Sequence, residues 1–278
     1  MNKIKVAASA ALGMISLAVS SYAATISMSD GDMFLGFRTA NAPGNTLNLE
    51  VDLGSFTQFT LMNGSSFFLP QLSVLDLQGT YGAGTAWQRS DLFWSIATSS
   101  FNSVPGLPDD SLFETSVSNG NPSTVFKSQT ATLQSLVAAN MDQAIGGLNG
   151  STSTVNSNFA ALIPDSGNSY DANISNFGGF TRPWNSSSFS LMTFQNVENT
   201  TNIGATGLGF VSSDLYELLP TTSGTANAVK LGTFELFANG TLEFFSVIPE
   251  PSTYRMLAFG ATLLCGLMIL RRRRSVRS

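Results

Sequence analysis

Apolar and polar residues alternate with a period of two along much of this chain, the pattern of a strand with one buried face. The segments Asp32 to Thr39 and Thr46 to Leu53 both alternate in this way. Their apolar positions are Met33, Leu35 and Phe37 in the first and Leu47, Leu49, Val51 and Leu53 in the second. Turn residues fill the Ala42-Pro43-Gly44-Asn45 stretch between them. We therefore predict a β-hairpin.

Further strands are predicted at Asp91 to Ala97, Ser188 to Gln195 and Thr206 to Ser212. The strongest hairpin signal comes late in the chain, where Asn239-Gly240 separates two apolar runs. These runs extend from Gly232 to Phe237 and from Thr241 to Val247.

Helical spacing occurs in one central segment and predicts a helix packed on a sheet. Its apolar positions are Leu133, Leu136, Val137, Met141, Ala144 and Ile145, with Gly146-Gly147 as the stop. Gln129, Gln134 and Gln143 are predicted to face outward, and Leu69 to Gln78 is a candidate for a second, short helix. The polar stretches Ser99 to Ser128 and Gly147 to Ser188 are predicted to be surface loops. The predicted fold is mainly β, an antiparallel sandwich-like domain (β-sandwich) with one or two packed helices.

The N-terminus has the three parts of a secretory signal peptide. Lys3 and Lys5 form a basic region, and Val6 to Val19 is apolar. Ser21-Tyr22-Ala23 then places small residues at the two positions that signal peptidase reads. We expect a signal helix over residues 1–23, with cleavage after Ala23.

The C-terminus carries Pro249-Glu250-Pro251, then an apolar run from Met256 to Leu270, then Arg271, Arg272, Arg273 and Arg274. This order resembles the PEP-CTERM sorting signal of Gram-negative surface proteins, which are substrates of exosortases. The resemblance assigns residues 249–254 to the sorting motif, 256–270 to a transmembrane helix and 271–278 to a basic tail. It leaves residues 24–248 as the exported domain. Arginines at this end favour the cytoplasmic side and act as a stop-transfer signal.

Two details bear on how the signal works. Arg255 departs from the resemblance, because the family usually has an apolar residue there.

The run of 15 residues from Met256 to Leu270 rises about 22 Å as a helix, which is short of the ~30 Å hydrocarbon core. Such a span suits a segment that is removed after sorting. The alternative is an ordinary C-terminal anchor preceded by a chance Pro-Glu-Pro.

Composition narrows the chemistry of residues 24–248. They hold 17 acidic and five basic residues, a net charge of −12, which argues against nucleic acid as a partner. The chain has no histidine, which excludes Ser-His-Asp and Cys-His catalysis and His-ligated metals. The only cysteine, Cys265, lies in the apolar run, so the exported domain contains no disulfide.

Several blocks also resemble one group of PEP-CTERM proteins that has no known activity. They are Gly31 to Arg38, Asp52-Leu53-Gly54, Tyr81-Gly82, Trp87 and Ser90 to Ile96. The resemblance therefore supports fold and export and implies no reaction.

Candidate sites in the exported domain are few. Calcium prefers oxygen ligands, and the acids in or beside predicted loops are Asp30, Asp32, Asp109, Asp110 and Glu114. Trp87, Trp94 and Trp184 are candidates for stacking on sugars, with core packing as the commoner alternative. Glu50 and Asp52 form a carboxylate pair on one strand face, although such neighbours rarely flank a glycosidic bond by themselves.

From these observations we expect a structural or interaction protein of the cell surface or the extracellular biofilm matrix. Its expected partners are signal peptidase, an exosortase-like membrane enzyme and, as an alternative, an extracellular polysaccharide. The two other function classes are a carbohydrate-binding module and a secreted hydrolase that uses carboxylates. We predict no catalytic residue, no metal and no cofactor. The predicted route passes through the inner membrane of a Gram-negative bacterium.

Overall fold

The computed structural model describes residues 23–60, 64–100, 104, 107–117, 127–170, 197–222 and 226–247. Its longer strands are β1 (Asp32–Thr39), β2 (Leu47–Ser55), β4 (Leu92–Ser100), β5 (Ser111–Val117), β9 (Phe210–Leu218) and β11 (Val229–Phe237). Its shorter strands are β3 (Ser66–Leu69), β6 (Lys127–Ser128), β7 (Ala160–Pro164), β8 (Asn199–Thr200), β10 (Ala226–Asn227) and β12 (Leu242–Ser246). The four helices are α1 (Thr57–Thr60), α2 (Val74–Tyr81), α3 (Ala131–Leu148) and α4 (Ile203–Thr206).

Ten strands form one antiparallel sheet that curls into a half-barrel. Nine follow the order β3-β12-β11-β9-β5-β4-β1-β2-β7, and β8 pairs with β4 beside this path. The remaining strands, β6 and β10, pair with each other. The predicted mainly β, antiparallel fold is confirmed. The described strands, however, build one curled sheet and a small two-stranded sheet, with four helices, where the sequence predicted a sandwich-like arrangement and one or two helices.

The strands build one curled sheet and not a sandwich because this sheet is covered on both faces at its centre. All nine residues of β4 are buried, so the centre of the sheet has no solvent-exposed face. Helices and connecting segments supply the covering layers, and no second large sheet is needed for burial among the described residues.

The first face of the sheet is apolar throughout its core. It carries the alternating residues predicted for β1 and β2, among them Met33, Leu35 and Val51, together with Leu77 of α2. Aromatic rings fill its far end: the Phe234 and Phe244 centroids lie 4.8 Å apart, and Phe59 of α1 meets Phe244 edge-on at 5.1 Å.

The second face is covered by α3. Val137, Met141 and Ile145 pack there with Ile26 and Met28 of the N-terminal segment. The predicted helix is thus confirmed, but it runs through Gly146-Gly147 and ends at Leu148. Leu136 is exposed, although its spacing placed it on the packed face.

Two of the glutamines predicted to face outward are buried instead. The Gln134 amide nitrogen donates to the carbonyls of Asp110 and Leu218, each at 2.8 Å, and its oxygen accepts from the backbone N–H of Gln129. These bonds satisfy the side-chain amide of Gln134 and the backbone N–H of Gln129 inside the core. Gln143 is exposed as expected.

The predicted loops contain strands of the main sheet. Residues 99–128 include β5, and residues 147–188 include β7. Both were missed because serine and threonine occupy many of their positions or flanks, and pairing with neighbours overrides weak β propensity.

Three other segments were placed differently from prediction. Thr206 to Ser212 begins in α4, and β9 starts only at Phe210. Leu69 to Gln78 divides between the end of β3 and α2. The strand predicted at Ser188 to Gln195 lies outside the described residues.

The two hairpins were predicted correctly. β1 pairs with β2, and β11 pairs with β12. None of the helices in the described part of the chain has the length and apolar character required for a membrane crossing. The predicted signal helix over residues 1–23 lies outside that part except for Ala23, and the predicted transmembrane helix over residues 256–270 lies wholly outside it.

Candidate functional site

A buried polar cluster lies on the second face, at the centre of the sheet. The Arg38 guanidinium donates to both oxygens of Glu198, from Nε at 2.8 Å and from Nη2 at 2.5 Å. The Tyr170 hydroxyl donates to Glu198 Oε1 at 2.8 Å and lies 2.6 Å from Ser95 Oγ. Bidentate contact between a guanidinium and a carboxylate is a strong form of ion pair.

Strand register brings these groups together. Arg38 and Gly36 of β1 lie opposite Phe93 and Ser95 of β4, so the side chains of Arg38, Phe93 and Ser95 share one face. The guanidinium lies over the Phe93 ring, 5.3 Å from its centroid. Glu198 immediately precedes β8, which pairs with β4 at Phe93.

Gly36 makes room for the aromatic member of the cluster. A Cβ atom at this position would overlap the Tyr170 ring. The ring therefore packs against the bare backbone of β1, and the backbone N–H of Tyr170 donates to Glu50 Oε1 at 2.7 Å. Gly36, which belongs to the Gly31 to Arg38 block, thus has a packing role.

Two more carboxyl groups lie buried on this face. Burial raises the pKa of Glu50 to about 8, and the hydrogen bond from Tyr170 opposes part of that rise. Burial also raises the pKa of Glu114 well above its usual range, and neither of its oxygens has a hydrogen-bond partner among the described residues. Burial therefore favours the neutral form of both carboxyl groups.

Solvent does not reach the cluster. Arg38 is 4% exposed, and Tyr170, Glu198, Glu50 and Glu114 are fully buried. Charges and acids enclosed in this way join distant parts of the chain, and a dissolved substrate has no path to them across the described surface. The arrangement therefore positions β1, β4 and the segments around residues 170 and 198.

The other blocks noted in the sequence also have structural positions. The Tyr81 hydroxyl accepts from the Leu49 N–H and donates to the Phe37 carbonyl, both at 2.9 Å, and so holds the first hairpin. Gly54 has a positive φ of 78° at a register shift between β1 and β2. Its N–H donates to Asp52 Oδ1 at 2.7 Å.

Among the described residues, the candidates for sugar and calcium binding are not assembled into such sites. Trp87 and Trp94 are fully buried, so neither presents a ring to a sugar, and Trp184 lies outside the described residues. Asp30 and Asp32 lie at the start of β1, Asp109 and Asp110 precede β5, and Glu114 lies within β5. Within the described ranges, no three Asp, Glu, Cys or His residues are grouped to hold a metal ion.

The carboxylate pair that the sequence places on one strand face is buried. Glu50 is fully buried and Asp52 is 8% exposed. Burial raises the pKa of Asp52, which its bond to Gly54 opposes. The two carboxyls therefore face the interior of the domain.

One open cleft lies between α2, the start of β2 and residues 152–156. Its volume is about 490 Å³, and Thr80, Thr152 and Ser153 contribute to its lining. The Asp76 carboxylate in its wall accepts from Thr154 Oγ1 and Asn156 Nδ2, both at 2.7 Å. Exposed Leu75, Val155 and Leu162 also line it. Sequence patterns gave no signal for this cleft, because its parts are far apart along the chain.

The two ends of the described domain are anchored in the fold. Ala24 pairs with Ser153 near the cleft. At the other end, the Val247 N–H donates to the Leu231 carbonyl at 2.9 Å. The sorting motif Pro249, Glu250 and Pro251 and the arginines Arg271 to Arg274 lie outside the described residues.

These features define a mainly β domain with an interior polar cluster and an open cleft. No family model, no curated protein and no solved structure matches this chain.

Proposed function

We propose that this protein is a structural or interaction component of the bacterial cell surface or extracellular matrix, delivered by an exosortase-like enzyme. One observation carries the proposal. Pro249-Glu250-Pro251, an apolar run and four arginines follow one another in the order that a sorting signal requires.

The position of the last strand supports delivery of an intact domain. β12 lies between β11 and β3 in the sheet and is paired on both sides. Val247, one residue beyond this strand, is two residues from Pro249. A cut near the triplet therefore removes no strand from the sheet.

The proposed route uses the charge and length of each segment. Signal peptidase cuts after Ala23, and Arg271 to Arg274 hold the tail on the cytoplasmic side of the inner membrane. The short apolar run keeps the triplet at the outer face of the inner membrane, within reach of the sorting enzyme. That enzyme supplies the nucleophile, so no residue of this chain is catalytic. Nucleic acid is not a partner, because the exported domain carries a net charge of −12.

The test replaces Glu250 with alanine in the native host. We expect the full-length form to accumulate in the inner membrane, whereas Asp109→Ala, an equal change in charge at an exposed site, leaves sorting intact. Mass spectrometry of surface and membrane fractions measures both ends of the mature chain. Normal surface yield and normal mature mass for the Glu250 variant would show that the segment is a plain anchor.

A carbohydrate-binding module is the second candidate, and the open cleft is the observation that favours it. Hydroxyl and amide groups of Thr80, Thr152, Ser153 and Asn156 line it, and such groups bind sugar hydroxyls. Glycan-array binding by residues 24–248, lost on Asn156→Ala, would support this candidate.

The hydrolase is the third candidate and has the least support, because Glu50 is buried. Turnover on a glycan panel, abolished by one carboxylate substitution, would establish this activity.

A further inference from the structure

The first residues after the expected signal cleavage site are built into the fold. The Ala24 N–H donates to Ser153 Oγ at 2.8 Å, and the Ser153 N–H donates back to the Ala24 carbonyl at 2.8 Å. Ile26 exchanges backbone bonds with the same turn, donating to Ser151 at 3.0 Å and accepting from Gly150 at 2.9 Å. The Met28 N–H donates to Asn149 Oδ1 at 3.1 Å.

Apolar contacts add to these bonds. Ile26 and Met28 are 3% and 8% exposed and belong to the core under α3. Residues 24–28, which we call the N-terminal strap, therefore lie along residues 149–153 by both polar and apolar contacts. The strap begins at Ala24, immediately after the bond that the small residues Ser21 and Ala23 mark for cleavage.

We propose that the Ala23–Ala24 bond is cut only while the strap is undocked, and that in a precursor that has not been cut the docked strap protects this bond. In the cut, water adds across the peptide bond and leaves a carboxylate on Ala23 and an ammonium group on Ala24. Signal peptidase supplies the nucleophile. A protease needs an extended substrate on both sides of the bond, and here Ala24 is held by Ser153 on the product side.

The order of events follows from this geometry. Processing comes first, and the new N-terminus then completes the core beneath α3. Cleavage of a folded precursor is limited by the population in which the strap has opened, as for other sites that are cut from locally unfolded states. The inference rests on the proposed export route, because it assumes that signal peptidase acts on this chain.

A cysteine pair provides a lock for the strap. Thr25 and Thr152 face each other in an antiparallel bridge, and the flanking bonds identify a non-hydrogen-bonded pair, whose Cα atoms lie roughly 4.5 Å apart. This separation suits a disulfide. Both residues are exposed, so Thr25→Cys with Thr152→Cys leaves the core unchanged. Cys265→Ser removes the competing thiol.

The experiment compares cleavage of three full-length precursors by purified signal peptidase in detergent. They are the oxidised lock, the same protein after reduction, and an undocked variant with Ile26→Ser and Met28→Ser; all carry Cys265→Ser. We expect the oxidised lock to be cut at least about tenfold more slowly than the undocked variant, with the reduced protein between them. Mass spectrometry reports loss of residues 1–23.

A urea-unfolded, diluted precursor without the cysteine pair serves as the control for the bond itself. Its cleavage after Ala23, together with slow cleavage of the lock, supports the inference. Equal rates for the lock and the undocked variant would overturn the inference and leave the export route standing. Absence of a cut after Ala23 in the unfolded control would overturn both.

Discussion

At the centre of the main sheet both faces are buried, but they are stabilised in different ways. The first face is packed with apolar side chains such as Leu35, Phe234 and Phe244. The second face encloses the Arg38–Glu198 pair and the acids Glu50 and Glu114 beneath segments that include α3 and Tyr170. Burial alone therefore does not define which substitutions a face tolerates. The pairing of its polar groups also defines them.

The physical reason lies in directionality. Apolar contacts are non-directional, and their stabilising free energy is roughly proportional to the buried area. The first face therefore tolerates apolar substitutions that conserve side-chain volume. A buried charge needs a specific partner at a specific distance, and removal of that partner leaves an uncompensated charge in the interior. The comparison leads to four predictions.

The largest effect is expected for Arg38→Met. It leaves Glu198 buried without its cation, and we expect a loss of about 3–5 kcal/mol in the free energy of unfolding. Urea denaturation of residues 24–248 measures it. The control is Arg89→Met, which breaks the part-exposed pair with Asp91 and should cost about 1 kcal/mol or less. Equal losses would show that the two pairs contribute alike.

The free energy of unfolding should fall as the pH rises, which is the opposite of ordinary acid denaturation. The Glu50 pKa rises from 4.5 to about 8 on folding, so the native state binds more protons than the unfolded state in this window. Stability is then fully present below pH 4.5 and is lost as the pH rises through about 8. The full loss is on the order of 5 kcal/mol, and Glu114 acts in the same direction.

Chemical denaturation at several pH values between 5 and 9 checks this prediction. Glu50→Gln should flatten the profile, because it removes the titrating group and keeps the side-chain shape. A wild-type profile that is flat or rises with pH would contradict the assignment of a neutral Glu50.

A smaller effect is expected for Gly36→Ala. The added methyl group overlaps the Tyr170 ring, and the resulting overpacking should cost about 1–3 kcal/mol. The matched control is Gly79→Ala in α2, where an added Cβ meets no atom within 4 Å. This control should stabilise the helix by up to about 1 kcal/mol. Thermal unfolding of both variants checks the opposite signs.

The smallest effect is expected for a shape-conserving change on the first face. Met33→Leu should alter the free energy of unfolding by less than about 1.5 kcal/mol. Glu198→Gln conserves shape equally well on the second face but leaves the Arg38 charge without its counter-ion, and it should cost about 3 kcal/mol. Urea denaturation of both variants would show similar losses if the two faces did not differ.

Sequence patterns predicted the first face better than the second. Alternation in β1 and β2 located Met33, Leu35 and Leu49 correctly, because a strand with a period of two sends every second side chain to the same core. The acids of the second face gave no such signal. Glu114 was assigned to a loop because serine, threonine and proline surround its short strand.

The candidate sites show the same limit. Gly36, Arg38 and Tyr81 were recognised as parts of recurring blocks, but their partners were not, since Tyr170 and Glu198 lie more than 130 residues beyond Gly36. Trp87 and Trp94 could not be assigned to core or surface from residue type alone. The cleft also escaped prediction, because its walls come from α2, β2 and residues 152–156.

The sequence by itself determined the mainly β class, both hairpins, the central helix and the predictions for the two ends of the chain. These depend on local spacing, turn residues and charge order, all of which act over a few residues. The tertiary structure decided that the strands form one curled sheet, that Gln134 and Glu114 are buried, and that Arg38 meets Glu198. Those outcomes depend on which distant segments pair, and local residue patterns do not specify that choice.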